Sequence, residues 1–340
     1  MATGTNTFTK IVVKGEGTYA AGTAGNFSSG GRRLVVAPTG VINRGVEHDT
    51  GSDRTIGVRN PILAQRVTKL SENPEISLSV PALNTHDLVV YLSAIQEVSP
   101  TGAGPDYDWT FDFDMTTGAP APKSLQAIVT DGNQSFHVKG ILPTSLELSA
   151  EAAGITTATF SGFAKAVAKT SQATAEGIPT SGASVAGRLW TPSYAASWSG
   201  LTSATPFEHL FDWTLTIEPG MAPLNAQAGA YTLSDYSQFA GPFAGTLSMT
   251  VASNAEAVAE LYDKLGQPVF WNLVWSQTPA GSAVEHAVVI RMCAVPTSVQ
   301  PIAADTDGIV TYAVEAALAY DEDSDNCLTI QVINELPALP

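Results

Sequence analysis

The sequence is poor in charge, in cysteine and in long apolar runs, and each shortage closes off a class of protein. Only 14% of its residues are Asp, Glu, Lys or Arg, against roughly 25% in ordinary soluble domains. A surface with so few charges suits repeated subunit contacts, because a charge buried without a partner must be desolvated at considerable cost. The two cysteines, Cys293 and Cys327, form neither a Cys-x-x-Cys pair nor a disulfide framework. No stretch approaches the roughly 18 apolar residues of a membrane span, so no membrane anchor is expected. The opening Met1-Ala2-Thr3-Gly4-Thr5-Asn6 is polar and lacks the basic and apolar regions of a secretory leader. A reducing cytoplasm is the expected place of synthesis and assembly.

Catalytic motifs are missing as well. There is no Gly-x-Ser-x-Gly and no His-Glu-x-x-His. His48, His86, His137, His209 and His286 are scattered without metal-ligand spacing, and His137 and His286 read as partly exposed imidazoles on strands. Gly15-Glu16-Gly17 is not followed by a helix, as a phosphate loop requires. Asp321-Glu322-Asp323-Ser324-Asp325-Asn326 begins like a calcium loop but has Asn326 where Gly is needed and Val332 where a bidentate Glu is needed. It reads instead as an acidic turn between two strands. No enzyme activity, cofactor or metal is expected.

What the chain does contain is a repeat. Pro143-Thr144-Ser145 recurs as Pro296-Thr297-Ser298, 153 residues later, each copy closing an alternating apolar stretch. Gly154 to Phe160 matches Gly308 to Val314 at an offset of 154, and Ile76 to Val80 matches Leu247 to Val251 at 171. The difference fits a longer loop in the first copy, around Pro100 to Lys123. Repeats decide architecture, and 340 residues hold two units of about 150.

Strand patterns dominate, with Trp109 to Phe113 and Trp213 to Ile217 alternating large apolar and polar residues. Ser253-Asn254-Ala255-Glu256 reads as a capping box for a helix whose buried stripe is Val258, Leu261, Tyr262 and Leu265. An equivalent helix follows Asn84 with Leu88, Tyr91, Leu92 and Ile95 inward. Trp213 and Trp271 read as core residues. The expected division is an extended N-terminal arm over 1–30, a first β domain over 31–169, a Ser/Ala/Thr/Gly-rich linker over 170–187 and a second β domain over 188–340.

Charge is divided along the chain. Met1 to Leu70 holds nine Lys and Arg against four Asp and Glu, a net of +5, while the remainder carries −21. A basic leading segment on an acidic body predicts complementary docking between subunits, with Arg32, Arg33, Arg44 and Arg54 as candidate contacts. An acidic body disfavours binding to the outside of nucleic acid.

Taken with the order of three stretches, this organisation resembles the major tail tube proteins of long, non-contractile-tailed phages. The stretches are Pro143 to Val167, Asp212 to Gly220 (Trp-Thr-Leu-Thr-Ile-Glu-Pro-Gly), and Asp307-Gly308 leading into Thr311 to Asp321, followed by the closing Leu328 to Asn334. The resemblance implies two tandem tail-tube-like β-sandwich or barrel domains, each with one short flanking α-helix. It implies self-assembly into stacked rings, a homotrimeric pseudo-hexamer or alternatively a homohexamer. Such a tube belongs to the virion tail and passes DNA through an acidic lumen without specific binding. A tape-measure protein inside and terminator and tip proteins at the ends are the implied partners. The rival reading is a carbohydrate-binding or adhesive β module of a virion or cell surface, which would need exposed aromatics.

Overall fold

The computed structural model describes residues 10–22, 27, 31–34, 36, 41–49, 68–102, 104–113, 121–130, 134–170, 184–225, 235–237, 240–306 and 308–339. It is mainly β and built from large antiparallel sheets. The first half of the chain runs β1 (Lys10–Gly15), β2 (Arg32–Leu34), β3 (Ile42–Asn43), β4 (Val46–Asp49), β5 (Thr68–Glu72), β6 (Glu75–Val80), α1 (Thr85–Ile95), β7 (Tyr107–Asp112), β8 (Leu125–Thr130), β9 (Ser135–Glu151), β10 (Thr157–Phe163) and β11 (Ala166–Thr170). The second half runs β12 (Trp190–Ala195), β13 (Thr205–Pro206), β14 (Leu210–Glu218), β15 (Ala222–Leu224), β16 (Asp235–Ser237), β17 (Ala244–Ala252), α2 (Ala255–Ala257), β18 (Val269–Gln277), β19 (His286–Thr306), β20 (Ile309–Leu318) and β21 (Leu328–Asn334).

The two halves use the same ladder. In the first, β2–β1–β8–β9–β11 form one sheet and β9–β10–β6–β3 another, with β4 and β5 as a separate hairpin. In the second, β13–β12–β18–β19–β21 and β19–β20–β17–β14 repeat that order, with β15 and β16 as the hairpin. Register repeats too: Phe160 faces Leu78 and Leu146, as Val314 faces Met249 and Val299.

The recurring Pro-Thr-Ser has a definite job in this ladder. Each long strand, β9 and β19, passes from one sheet to the other, and at the crossing Thr144 and Thr297 are the unpaired residues of a bulge. A bulge bends the strand. Proline, which cannot donate to a ladder, falls just beyond the last rung that β8 or β18 makes, at Ile141 or Ala294.

Among the described residues, two strand pairings join the halves. β7, inserted only in the first, pairs with β21, and β14 pairs with the C-terminal part of β9, Leu215 facing Leu148. The second connection makes a continuous eight-stranded sheet, β3–β6–β10–β9–β14–β17–β20–β19. One hydrophobic cluster draws on both halves, from Ile76, Phe111 and Phe160 to Trp213, Leu247, Trp271 and Ile330.

Three elements depart from the sequence reading. Residues 10–15, expected within an extended arm, form β1 between β2 and β8 with Ile11, Val12 and Val13 buried; a run of three β-branched residues favours a strand here, and its glycine-rich flanks mask it. α1 does not flank the sheets but is buried along its whole length, against β7, β9, β19 and β21. Its Asn84 cap is as expected, the side chain accepting from Asp87 N at 2.9 Å. At the second helix the cap is Asn254 rather than Ser253, accepting from Ala257 N at 2.7 Å. After one α turn the helix widens to a π turn over Val258–Tyr262, with Asp263 N bonding to Val258 O. The extra residue per turn rotates the stripe, leaving Leu261 buried and Tyr262 and Leu265 each 51% exposed. Of the expected linker, residues 171–183 lie outside the described residues. Val185, just beyond, is buried and exchanges backbone bonds with Leu83 and Thr156.

Candidate functional site: an acidic, hydroxyl-rich sheet face

The eight-stranded sheet has one buried and one open face, because most of its strands alternate. Glu75-Ile76-Ser77-Leu78-Ser79-Val80 turns its three apolar side chains to the core and its polar ones outward. β10, the C-terminal part of β9, β14 and β17 do the same. The open face is therefore carpeted with hydroxyls: Ser77, Ser79, Ser145, Ser149, Thr157, Thr159, Ser161, Thr214, Thr216, Thr246, Ser248, Thr250 and Ser298. Among them stand the carboxylates Glu75, Glu147, Glu151, Asp212, Glu218 and Glu315. None of these strands contributes a Lys or Arg, apart from the N-terminal halves of β9 and β19, which belong to the other sheets.

The face runs unbroken across the junction of the halves. Ser149 Oγ and Thr214 Oγ1 share a hydrogen bond of 3.0 Å there. Beside them Asp212 faces Glu151 directly, a like-charge pair that opposes strand pairing. The Asp212 carboxyl is raised above the usual range first by burial; hydrogen bonds from Thr250 resist the rise and the charge of Glu151 adds to it.

The expected arginine contacts divide. Arg32 is committed inside the chain: its Nε donates to Asp87 Oδ1 at 2.6 Å and its Nη2 to Asn84 Oδ1 at 3.3 Å, with the side chain 10% exposed. Burial pushes the Asp87 carboxyl up, against the pull of Arg32 and Asn84. Arg33 is half-buried on β2 opposite Val12. Arg44 is exposed and holds Glu72 through Nε and Nη2 at 2.9 and 2.7 Å, with Lys69 on the other oxygen. Burial would raise Glu72, yet these cations hold it below its ordinary value. Arg54 lies outside the described residues.

The sequence reading missed a buried polar cluster where α1 meets the second half. Thr85 Oγ1 bonds His286 Nδ1 at 3.0 Å, Asn334 Nδ2 donates to Thr85 O at 3.2 Å, and the rings of His86 and His286 lie 5.5 Å apart. His137 and His286 are buried rather than partly exposed. Burial first, then Lys139, lowers the His137 pKa to about 4. No local pattern signals such burial, because the partners are distant in sequence. Glu16 is a second buried polar anchor, accepting from Ser124 Oγ and the N–H groups of Ala20, Gly22 and Gly140.

All six tryptophans are buried or half-buried. Trp213 and Trp271 are core residues as expected, and Trp190 packs edge-on against Trp213 with its Nε1 donating to Thr156 Oγ1. The tryptophan platform that a sugar-binding surface needs is therefore not formed by these side chains. The Asp321–Asn326 segment is a tight turn, closed by Asp321 N to Asn326 O at 2.9 Å. Among the described residues no group of three or more His, Cys, Asp or Glu is placed to hold a metal ion, and no helix is long and apolar enough to cross a membrane. Compared with known proteins, the chain matches no family model and no curated sequence.

Proposed function

We propose that this chain is a structural subunit of a phage-type tail tube, in which the eight-stranded sheet lines a channel for DNA and the two repeated halves act as equivalent ring-forming units. The observation that carries the reading is the open face itself: thirteen hydroxyls, six carboxylates and no base on one continuous sheet. DNA sticks to proteins by displacing counterions from its phosphates with Lys and Arg. A wall without them gives a moving strand no place to bind, and the carboxylates repel phosphate toward the axis. Short hydroxyl side chains keep the wall smooth and hydrated, and Phe163, which faces Glu75, is 4% exposed and so offers no platform for aromatic stacking, the other means of holding single strands.

The duplication supports three chains per ring, carrying six repeats, with rings stacked in the virion tail after assembly in the host cytoplasm. Tail proteins at the tube ends and inside it are the corresponding partners. A triple variant, Glu147→Lys, Glu151→Lys and Asp212→Lys, tests the lining role. Assembled tubes of the parent chain are expected to retain no DNA at low salt, and tubes of the variant to retain it until salt is raised. Equal, salt-insensitive behaviour of the two would remove the channel from the proposal.

A further inference from the structure

Within the eight-stranded sheet the two halves meet where β14 lies on the outer edge of β9, with Leu215 facing Leu148 and Thr216 facing Glu147. The two outer strands of that sheet, β3 and β19, are the repeat equivalents of β14 and β9. β19 corresponds to β9, and its stretch from Ser298 pairs with β20 on one side and, among the described residues, with no strand on the other. β3 corresponds to β14: Ile42 faces Ile76 where Leu215 faces Leu247, and Asn43 faces Glu75 where Thr216 faces Thr246. The outer edge of β3 likewise carries no strand among the described residues.

We infer that a second copy of this chain docks head to tail by repeating the internal junction, β3 of one copy adding antiparallel to the edge of β19 in the next. The inference rests on the reading above only for closure of the ring; the docking stands on the two edges. The register follows from the internal one. Thr216 opposite Glu147 becomes Asn43 opposite Gln300, and Ile217 opposite Leu146 becomes Arg44 opposite Val299.

The edge is short, because β19 bulges between Gln300 and Ala304 and Pro301 has no N–H to offer. That bulge turns Ile302 outward, 77% exposed, at φ 55, a backbone region that β-branched residues seldom adopt. In the first half the rung after Glu147 belongs to Leu148, which meets Leu215; the same register puts Pro301 opposite Ile42, which is half-buried on β3. In the docked pair Ile302, the next residue of the bulge, covers Ile42 from beside that rung. The two edges differ, so the contact is heterologous and propagates into a ring or filament instead of ending at a dimer.

The test uses the full chain carrying Asn43→Cys and Gln300→Cys, mildly oxidised, run on a non-reducing gel and imaged by electron microscopy. Facing residues of antiparallel strands hold their Cα atoms about 4.5–5.5 Å apart, within disulfide reach. The native Cys293 and Cys327 are buried and do not compete. Covalent multimers are expected from the double variant, and dimers alone from a mixture of the two single variants. Rings without the crosslink would overturn the docking and leave the tube reading standing. Crosslinked open chains without rings would uphold the docking and overturn the ring; monomers throughout would overturn both. Ile302→Ser gives an independent arm: the unfolding midpoint is expected to hold while the critical concentration for assembly rises about tenfold or more through lost apolar burial. Unchanged assembly would overturn the contact.

Discussion

Acid should loosen the attachment of α1 through a single side chain. His86 is 6% exposed and neither ring nitrogen has a hydrogen-bond partner. Burial, then the charges of Arg32 and His286, lower its pKa to about 3 from an ordinary 6.5. A histidine depressed in the folded state contributes stability that is present above the unfolded value and is lost as pH falls through the window toward the folded one. Each pH unit in that window costs about 1.4 kcal/mol per group, so at about pH 5 the His86 share is about 2 kcal/mol. Asp87, Arg32, His286 and Glu335 face the same region and are common to parent and variant. The variant His86→Leu keeps the volume and removes two unpaired polar atoms, so at neutral pH it should be neutral or stabilising. Urea midpoints of both proteins at about pH 7.5 and about pH 5 give the comparison. The parent is expected to lose about 2 kcal/mol more than the variant on acidification. Equal losses would show that His86 takes up its proton in the folded chain without penalty, and the burial argument would fail.

Two further predictions concern the core. Leu215→Ala removes a fully buried side chain from the internal junction and should cost about 2–5 kcal/mol in one cooperative transition, since both halves share a cluster; two separated transitions in urea would contradict the shared core. Deleting residues 1–15 removes β1 with Ile11 and Val13 buried in that cluster, so the truncated chain should lose its folded near-ultraviolet signal; a native-like midpoint would mean β1 is dispensable.

Much of the fold was legible because its signals are local. Alternation gave the strands, and the repeated Pro-Thr-Ser sits where β9 and β19 change sheets. The offsets of 153 and 171 read from the sequence carry Leu146 onto Val299 and Leu78 onto Met249, residues that do occupy matching rungs. The site was only half legible. Alternation puts Glu147, Thr216 and Ser248 on one side of their own strands, but a single acidic face needs β9 to meet β14, a pairing between distant segments. The buried histidines were hidden for the same reason, since Thr85 and His286 are 201 residues apart. The widened turn at Val258 was hidden because capping and helical periodicity do not distinguish an α from a π turn.

The most direct test of the central proposal is electron microscopy of the purified chain over a concentration series, with class averages of end-on views. The account predicts stacked hollow rings of three chains with six repeated lobes. A uniform monomer at every concentration, or closed two-fold dimers, would contradict it.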